Sequence, residues 1–363
     1  MACHAPKDKT FGFQTGTAVA EPTLTRQMHQ QGTRSMGFTA VCIQEGSAIR
    51  TMNAHNSPFS APLSTTDSAT LALFCTLCRQ RQDSLLLMKQ LVQMIREVQK
   101  HRGMSMALLG GNTQFRDDFE RLQAQLERRL LFLEAFSNQT KDLLSQRDQE
   151  NLHSAWITIR HDWQEDSVID NYELHCHLIE QLLGMLAALG KQLEESLGGL
   201  MENSNTPDSP GYPRRFRHLE VLHFTTRQMP AVVEQLGRIR ALSTYAAAVG
   251  HCDPHHSGKL RYVIQCTRVN NEKLRHQTKR LESLLEKNTL LLNPLKSYEI
   301  KLVFLLNMVE QDVLDSRKIT ADSSRLFNVA TDIIEVYFKV IDDGIHLLDS
   351  WHQQDVENWL TDT

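Results

Sequence analysis

Long apolar runs are missing. No stretch of the 363 residues approaches the roughly 18 uninterrupted apolar residues of a membrane span, and Met1–Lys9 carries no signal-peptide run. A cytoplasmic protein with no membrane contact is expected. Positive charge is also short: a net charge of -4 leaves no basic footprint for nucleic acid and argues against direct binding of DNA or RNA. The densest basic cluster, Arg214-Arg215-Phe216-Arg217, reads as a solvated face. Nucleophile-elbow (Gly-x-Ser-x-Gly) and phosphate-loop (Gly-Lys-Ser/Thr) motifs are absent, with no strand to carry them, so the chain does not read as an enzyme and implies no cofactor. The 7 cysteines, an odd number in a chain this long, fit reduced packing residues better than a disulfide framework.

What the chain does have is helical periodicity. Alternating strand patterns are missing after residue 66 and prolines are few, so the fold class is all-α. Residues 1–66, rich in Thr, Ser, Gln, Gly and Ala without a period, read as a disordered extension, and Met36 or Met52 is an alternative start. The spacing predicts helices over 68–109 (broken or bent near 80), 114–145, 148–164 and 167–200. A second set is predicted over 214–249, 258–291, 294–318 and 322–355. Turn chemistry separates them: Gly110-Gly111-Asn112, Ser167 or Asp166 as a cap, the run Glu202 to Gly211, Gly250 to Gly258, Asn293-Pro294, and Asp322 as a cap. Two antiparallel four-helix bundles joined end to end are expected, 67–201 and 214–363, with 202–213 as linker.

Two arginines lie inside apolar stripes with no acid in helical reach. Arg102 follows Leu91, Ile95 and Val98, and Arg240 follows Met229, Val233 and Leu236, so both turn toward a core. Three and four residues away lie only Gln99, Ser105, Val98 and Met106 for the first, and Gly237, Ser243, Leu236 and Thr244 for the second. A buried cation needs a partner, which is either a distant acid or an anion. The pattern Arg-x-x-Ser recurs at a separation of 240 − 102 = 138 residues, late in the first long helix of each set, as in a diverged internal repeat. Arginine presents a planar fork that meets the edge of a flat oxyanion in two hydrogen bonds, and Ser105 and Ser243 share the helical face. A small, planar, singly charged anion suits such a clamp: nitrate, nitrite, bicarbonate or a short carboxylate.

The stretch Val98-Gln99-Lys100-His101-Arg102-Gly103-Met104-Ser105 is similar to the Glu-Arg-Gly-x-Ser motif in the first helix of nitrate- and nitrite-sensing (NIT) domains. Met229 to Ser243, with Leu236-Gly237-Arg238-Ile239-Arg240, resembles that family's later Leu-Gly-x-x-Arg helix, and Ser324 to Trp351 resembles its closing helix. The likeness covers about residues 83 to 352. It implies a pair of four-helix bundles that hold nitrate or nitrite between arginines, here Arg102 and Arg240, with Ser105 and Ser243 as weaker ligands. It departs from the pattern at His101, where the family has Glu, and at Ala241, where it has Gly. With no output domain after residue 355, the signal is expected to pass to a separate regulatory protein or through a homodimer, and Trp351 and Trp359 mark a candidate contact surface.

The rival class is a helical scaffold or interaction module that holds no ligand. A metal-binding bundle is a weaker rival: Glu150-x-x-His153 and Glu220-x-x-His223 mimic di-iron motifs but fall in different sub-bundles, and no metal is expected. Cys75-x-x-Cys78 sits at helical core spacing, and His175-Cys176-His177 and His251 to His256 match no paired-ligand pattern. The resemblance of His101-Arg102-Gly103 to a phosphotransfer motif is out of register by two residues.

Overall fold

The computed structural model describes residues 65–140, 143–194, 212–285, 292–316 and 318–362, and every regular element among them is helical. Residues Ala72–Thr363 form one compact unit. The expected extension over 1–66 and the linker over 202–213 fall almost wholly outside the described residues.

Helix α1, Thr65–Leu109, is continuous for 45 residues and has no break near 80. It stops at Gly111, whose φ of +92° is a left-handed conformation that glycine adopts without a Cβ clash. Asn112 then accepts from the Gln114 amide and starts a 3₁₀ turn, Thr113–Phe115, that leads into α2, Arg116–Gln139. Ser145 and Ser167 cap α3, Gln146–Arg160, and α4, Val168–Gln192, by accepting from the amides of Asp148 and Asp170. Both α2 and α4 stop short of their expected ends near 145 and 200.

Helix α5, Tyr212–His223, passes through one π turn, Phe224–Gln228, into α6, Met229–Val249. Pro230 gives the reason. It lacks an amide hydrogen and its ring would crowd the carbonyl of residue 226 in a regular helix, whereas the wider turn, with the Met229 amide on the Phe224 carbonyl, makes room. Gly250 (φ +81°) ends α6, and Asp253 accepts from the amides of His255 and His256 to start α7, Pro254–Leu285. Pro294 opens α8, Asn293–Val309, which runs into a second π turn, Glu310–Leu314. Asp322 accepts from the Arg325 amide at the head of α9, Ser323–Asp362.

Side-chain pairs fix how four of these helices meet. Gln99 bonds Glu234, Gly103 faces Arg240 and Gly110 faces Ala248, so α1 and α6 run parallel. Lys89 bonds Asp349 while Arg96 bonds Asp342, so α9 runs antiparallel to α1; His101–His175 and Ser105–Asn171 give the same sense to α4. Leu91 and Val98 of α1, Leu236 and Ile239 of α6, Leu182 of α4 and Tyr337 of α9 share one apolar core. Full burial of side chains this size contributes about 1.5–3 kcal/mol each, so the core holds the parallel pair in register. It also draws the two arginines together.

Candidate functional site

Arg102 and Arg240 are 0% and 1% exposed, on adjacent faces of α1 and α6. Close approach depends on two glycines. A Cβ at Gly237 would sit 2.9 Å from Arg102 Nη2, and one at Gly103 would sit 3.3 Å from Arg240 Nε.

The two surroundings repeat. Arg102 lies over the Tyr172 ring, 5.6 Å from its centroid, and its Nη1 donates to Cys176 Sγ at 3.2 Å. Arg240 lies over the Phe327 ring at 4.9 Å, and its Nη1 donates to Thr331 Oγ1 at 3.0 Å. Both partner pairs are four residues apart, and both are offset by 327 − 172 = 331 − 176 = 155. The two Arg-x-x-Ser sites thus have matching walls, α4 on one side and α9 on the other, at an offset of 155 residues where the arginines differ by 138.

Glu234 breaks the symmetry. Arg102 donates to it through Nη1 at 2.7 Å and Nη2 at 3.1 Å, and the carboxylate also accepts from Gln99 Nε2 at 2.8 Å and Arg238 Nε at 2.7 Å. Burial opposes charge on both partners, but their mutual attraction outweighs it. Arg102 is held above the usual arginine range and Glu234 below the usual carboxylate range. Of the two partners open to a buried Arg102, a distant acid or an anion, the distant acid is therefore present.

Arg240 differs. Its Nε and Nη2, which form the side-on fork of the guanidinium, are buried and meet no acceptor among the described residues. Burial, and then repulsion from Arg102, bring its pKa down to about 9. Thr244, one helical turn on, has a buried hydroxyl that is likewise without a partner there. The serines are directed elsewhere. Ser105 Oγ lies 2.7 Å from Asn171 Oδ1 and 3.0 Å from the Arg102 carbonyl, and Ser243 Oγ donates to the Arg240 carbonyl at 3.3 Å.

His101, next to Arg102, joins a buried relay. His175 Nδ1 donates to the Asn171 carbonyl at 2.6 Å, so its Nε2 accepts from His101 Nδ1 at 2.8 Å. Burial pushes His101 well below the usual histidine value and takes His175 down to about 3, so both rings are neutral.

No protein-family model, curated protein or solved structure matches the chain. What the site can do rests on its own geometry.

The rival constellations are drawn into ordinary contacts. Glu150 bonds Gln146, Glu220 holds Gln277 and Arg280, and His223 bonds Glu194 at 3.0 Å. Asp253 caps α7 and pairs with His256. Among the described residues no three His, Cys, Asp or Glu side chains gather as a metal site. Trp359 stacks on Phe74 at 3.7 Å and Trp351 packs near His218, so both suggested contact residues are engaged within the chain.

Sequence reasoning missed Glu234, although the signal was there. It is the single acid between Met229 and Val249, in a mostly apolar helix, and its i,i+4 neighbour Arg238 accounts for one bond of four. Tyr172/Cys176 and Phe327/Thr331 carry a common aromatic-x-x-x-polar spacing that only the fold makes meaningful.

Proposed function

We propose that the protein is a cytoplasmic anion sensor in which nitrate or nitrite binds to the Arg240 fork beside Arg102, and that binding moves the helices of one half against the other. The observation that carries this reading is the buried, acceptor-less Nε–Nη2 edge of Arg240. A planar monoanion offers two oxygens in one plane, which satisfies both donors and compensates a charge whose uncompensated burial costs several kcal/mol. The Thr244 hydroxyl is a further donor within a turn. Cation–π contact with Phe327 and the Thr331 hydrogen bond contribute only about 1–2 kcal/mol each, too little to replace an anion. The two helical sets, 67–201 and 214–363, act as paired bundles in this reading, and the signal passes to a separate regulatory protein or across a homodimer.

A second reading, a helical scaffold or interaction module without a ligand, is favoured by one specific observation: Arg102 already has its counter-ion in Glu234. Thermal melting separates the two. At a hundred times its dissociation constant a ligand adds about 2.7 kcal/mol, which raises the midpoint by several degrees. The sensor reading expects nitrate or nitrite to do this over chloride at equal ionic strength, and expects the shift to vanish in Arg240→Met. Equal midpoints in all salts return the protein to the scaffold class.

A further inference from the structure

Of two arginine surroundings built alike, one is completed by the chain itself. Glu234 meets both terminal nitrogens of Arg102, and it belongs to α6, the helix that carries Arg240. The offset of 138 residues makes position 96 the counterpart of 234, and that position is arginine. Arg96 turns away to Asp342 at 2.9 Å and Glu335 at 3.5 Å on α9. Among the described residues the two matching surroundings therefore place a paired carboxylate on Arg102 and none on Arg240.

We propose that Glu234 is a displaceable resident anion: it completes the Arg102 seat, and a small planar anion entering between the two arginines competes with it and hands it over to Arg238. This rests on the reading that Arg240 takes a free anion, and adds how that binding is regulated. The handover has its second partner in place. Arg238 Nε already bonds Glu234 Oε1 at 2.7 Å, its side chain is 28% exposed, and its Nη2 holds Glu180 of α4 at 2.7 Å. A carboxylate sliding from Arg102 toward Arg238 exchanges one cation for another and moves toward water, where its charge is better solvated. Because Glu234 is the template occupant, the competing ligand is a monoanion with two oxygens on one edge: nitrate, nitrite, formate or acetate. Chloride, a sphere, matches no fork.

The test uses the full chain. In Glu234→Gln the competitor loses its charge but keeps its shape, and calorimetric titration is expected to show nitrate binding about tenfold tighter than in wild type. In Glu234→Ala the Arg102 seat loses its carboxylate, and formate or acetate is expected to restore the melting midpoint where chloride does not. Should that variant fail to fold, recovery of folded protein on refolding with formate against chloride gives the same readout. Wild-type nitrate binding with no gain in Glu234→Gln, or no carboxylate-selective rescue of Glu234→Ala, overturns the competition alone. A wild-type chain that binds no anion overturns the Arg240 reading and the competition with it.

Discussion

At the residue scale, two buried arginines of similar surroundings are predicted to respond to substitution in opposite ways. Arg102→Ala leaves the buried Glu234 carboxylate with only Arg238 and Gln99 as donors, and loss of one partner of a buried ion pair costs up to about 3–5 kcal/mol. Arg240→Met removes a buried cation that makes no ion pair with a described acid and is attracted only at a distance by Glu335 and Glu234, and is expected to raise stability by about 1 kcal/mol or more in anion-free buffer. Urea denaturation of both variants checks this, and equal losses would show that Arg240 has its own counter-ion. The buried histidines give a pH signature. Their folded pKa values lie below the unfolded value of 6.5, so the unfolded chain binds more protons below pH 6.5 and stability falls as pH drops from there toward about 3. Glu234, with a lowered pKa, adds its own loss only below its ordinary value of 4.5. Melting between pH 7 and 5 should therefore decline by up to about 1.4 kcal/mol per pH unit for each histidine, and the slope should lessen in His101→Gln/His175→Gln to the share left by His352, which burial takes down to about 4.

At the scale of elements, the packing of α4 and α9 on the π turn at Phe224–Gln228 depends on small residues. A Cβ at Gly190 of α4 would come within 2.5 Å of Thr226 Oγ1, and one at Gly344 of α9 would collide with Thr225 Oγ1. Gly190→Ala and Gly344→Ala are expected to cost about 1–3 kcal/mol through overpacking, and Thr226→Ala and Thr225→Ala respectively should recover part of that loss. Additive losses in the paired variants would mean that the two contacts do not limit the packing. Much of this level was legible in the sequence. Helix existence followed from apolar spacing, and Gly111, Ser167, Gly250, Pro294 and Asp322 mark ends where they were expected, because capping is local chemistry. The π turn was not, since Pro230 signals a disturbance without saying whether the helix kinks, stops or widens.

At the scale of the molecule, the parallel register of α1 and α6 makes the site. The sequence placed Arg102 and Arg240 on buried faces, and the structure has both there, side by side. It could not place Glu234, because an acid 132 residues from its partner leaves no periodic trace. It also assigned to Ser105 and Ser243 a facing role that their bonds to Asn171 and to their own helices do not show. The central claim is that the Arg240 fork is completed by a small planar anion. Arginine-side-chain NMR reads that group directly. The Nε–H resonance of Arg240, assigned by its loss in Arg240→Met, should shift downfield and saturate on titration with nitrate while remaining still in chloride. An Arg240 Nε–H signal that ignores nitrate at every concentration contradicts the account.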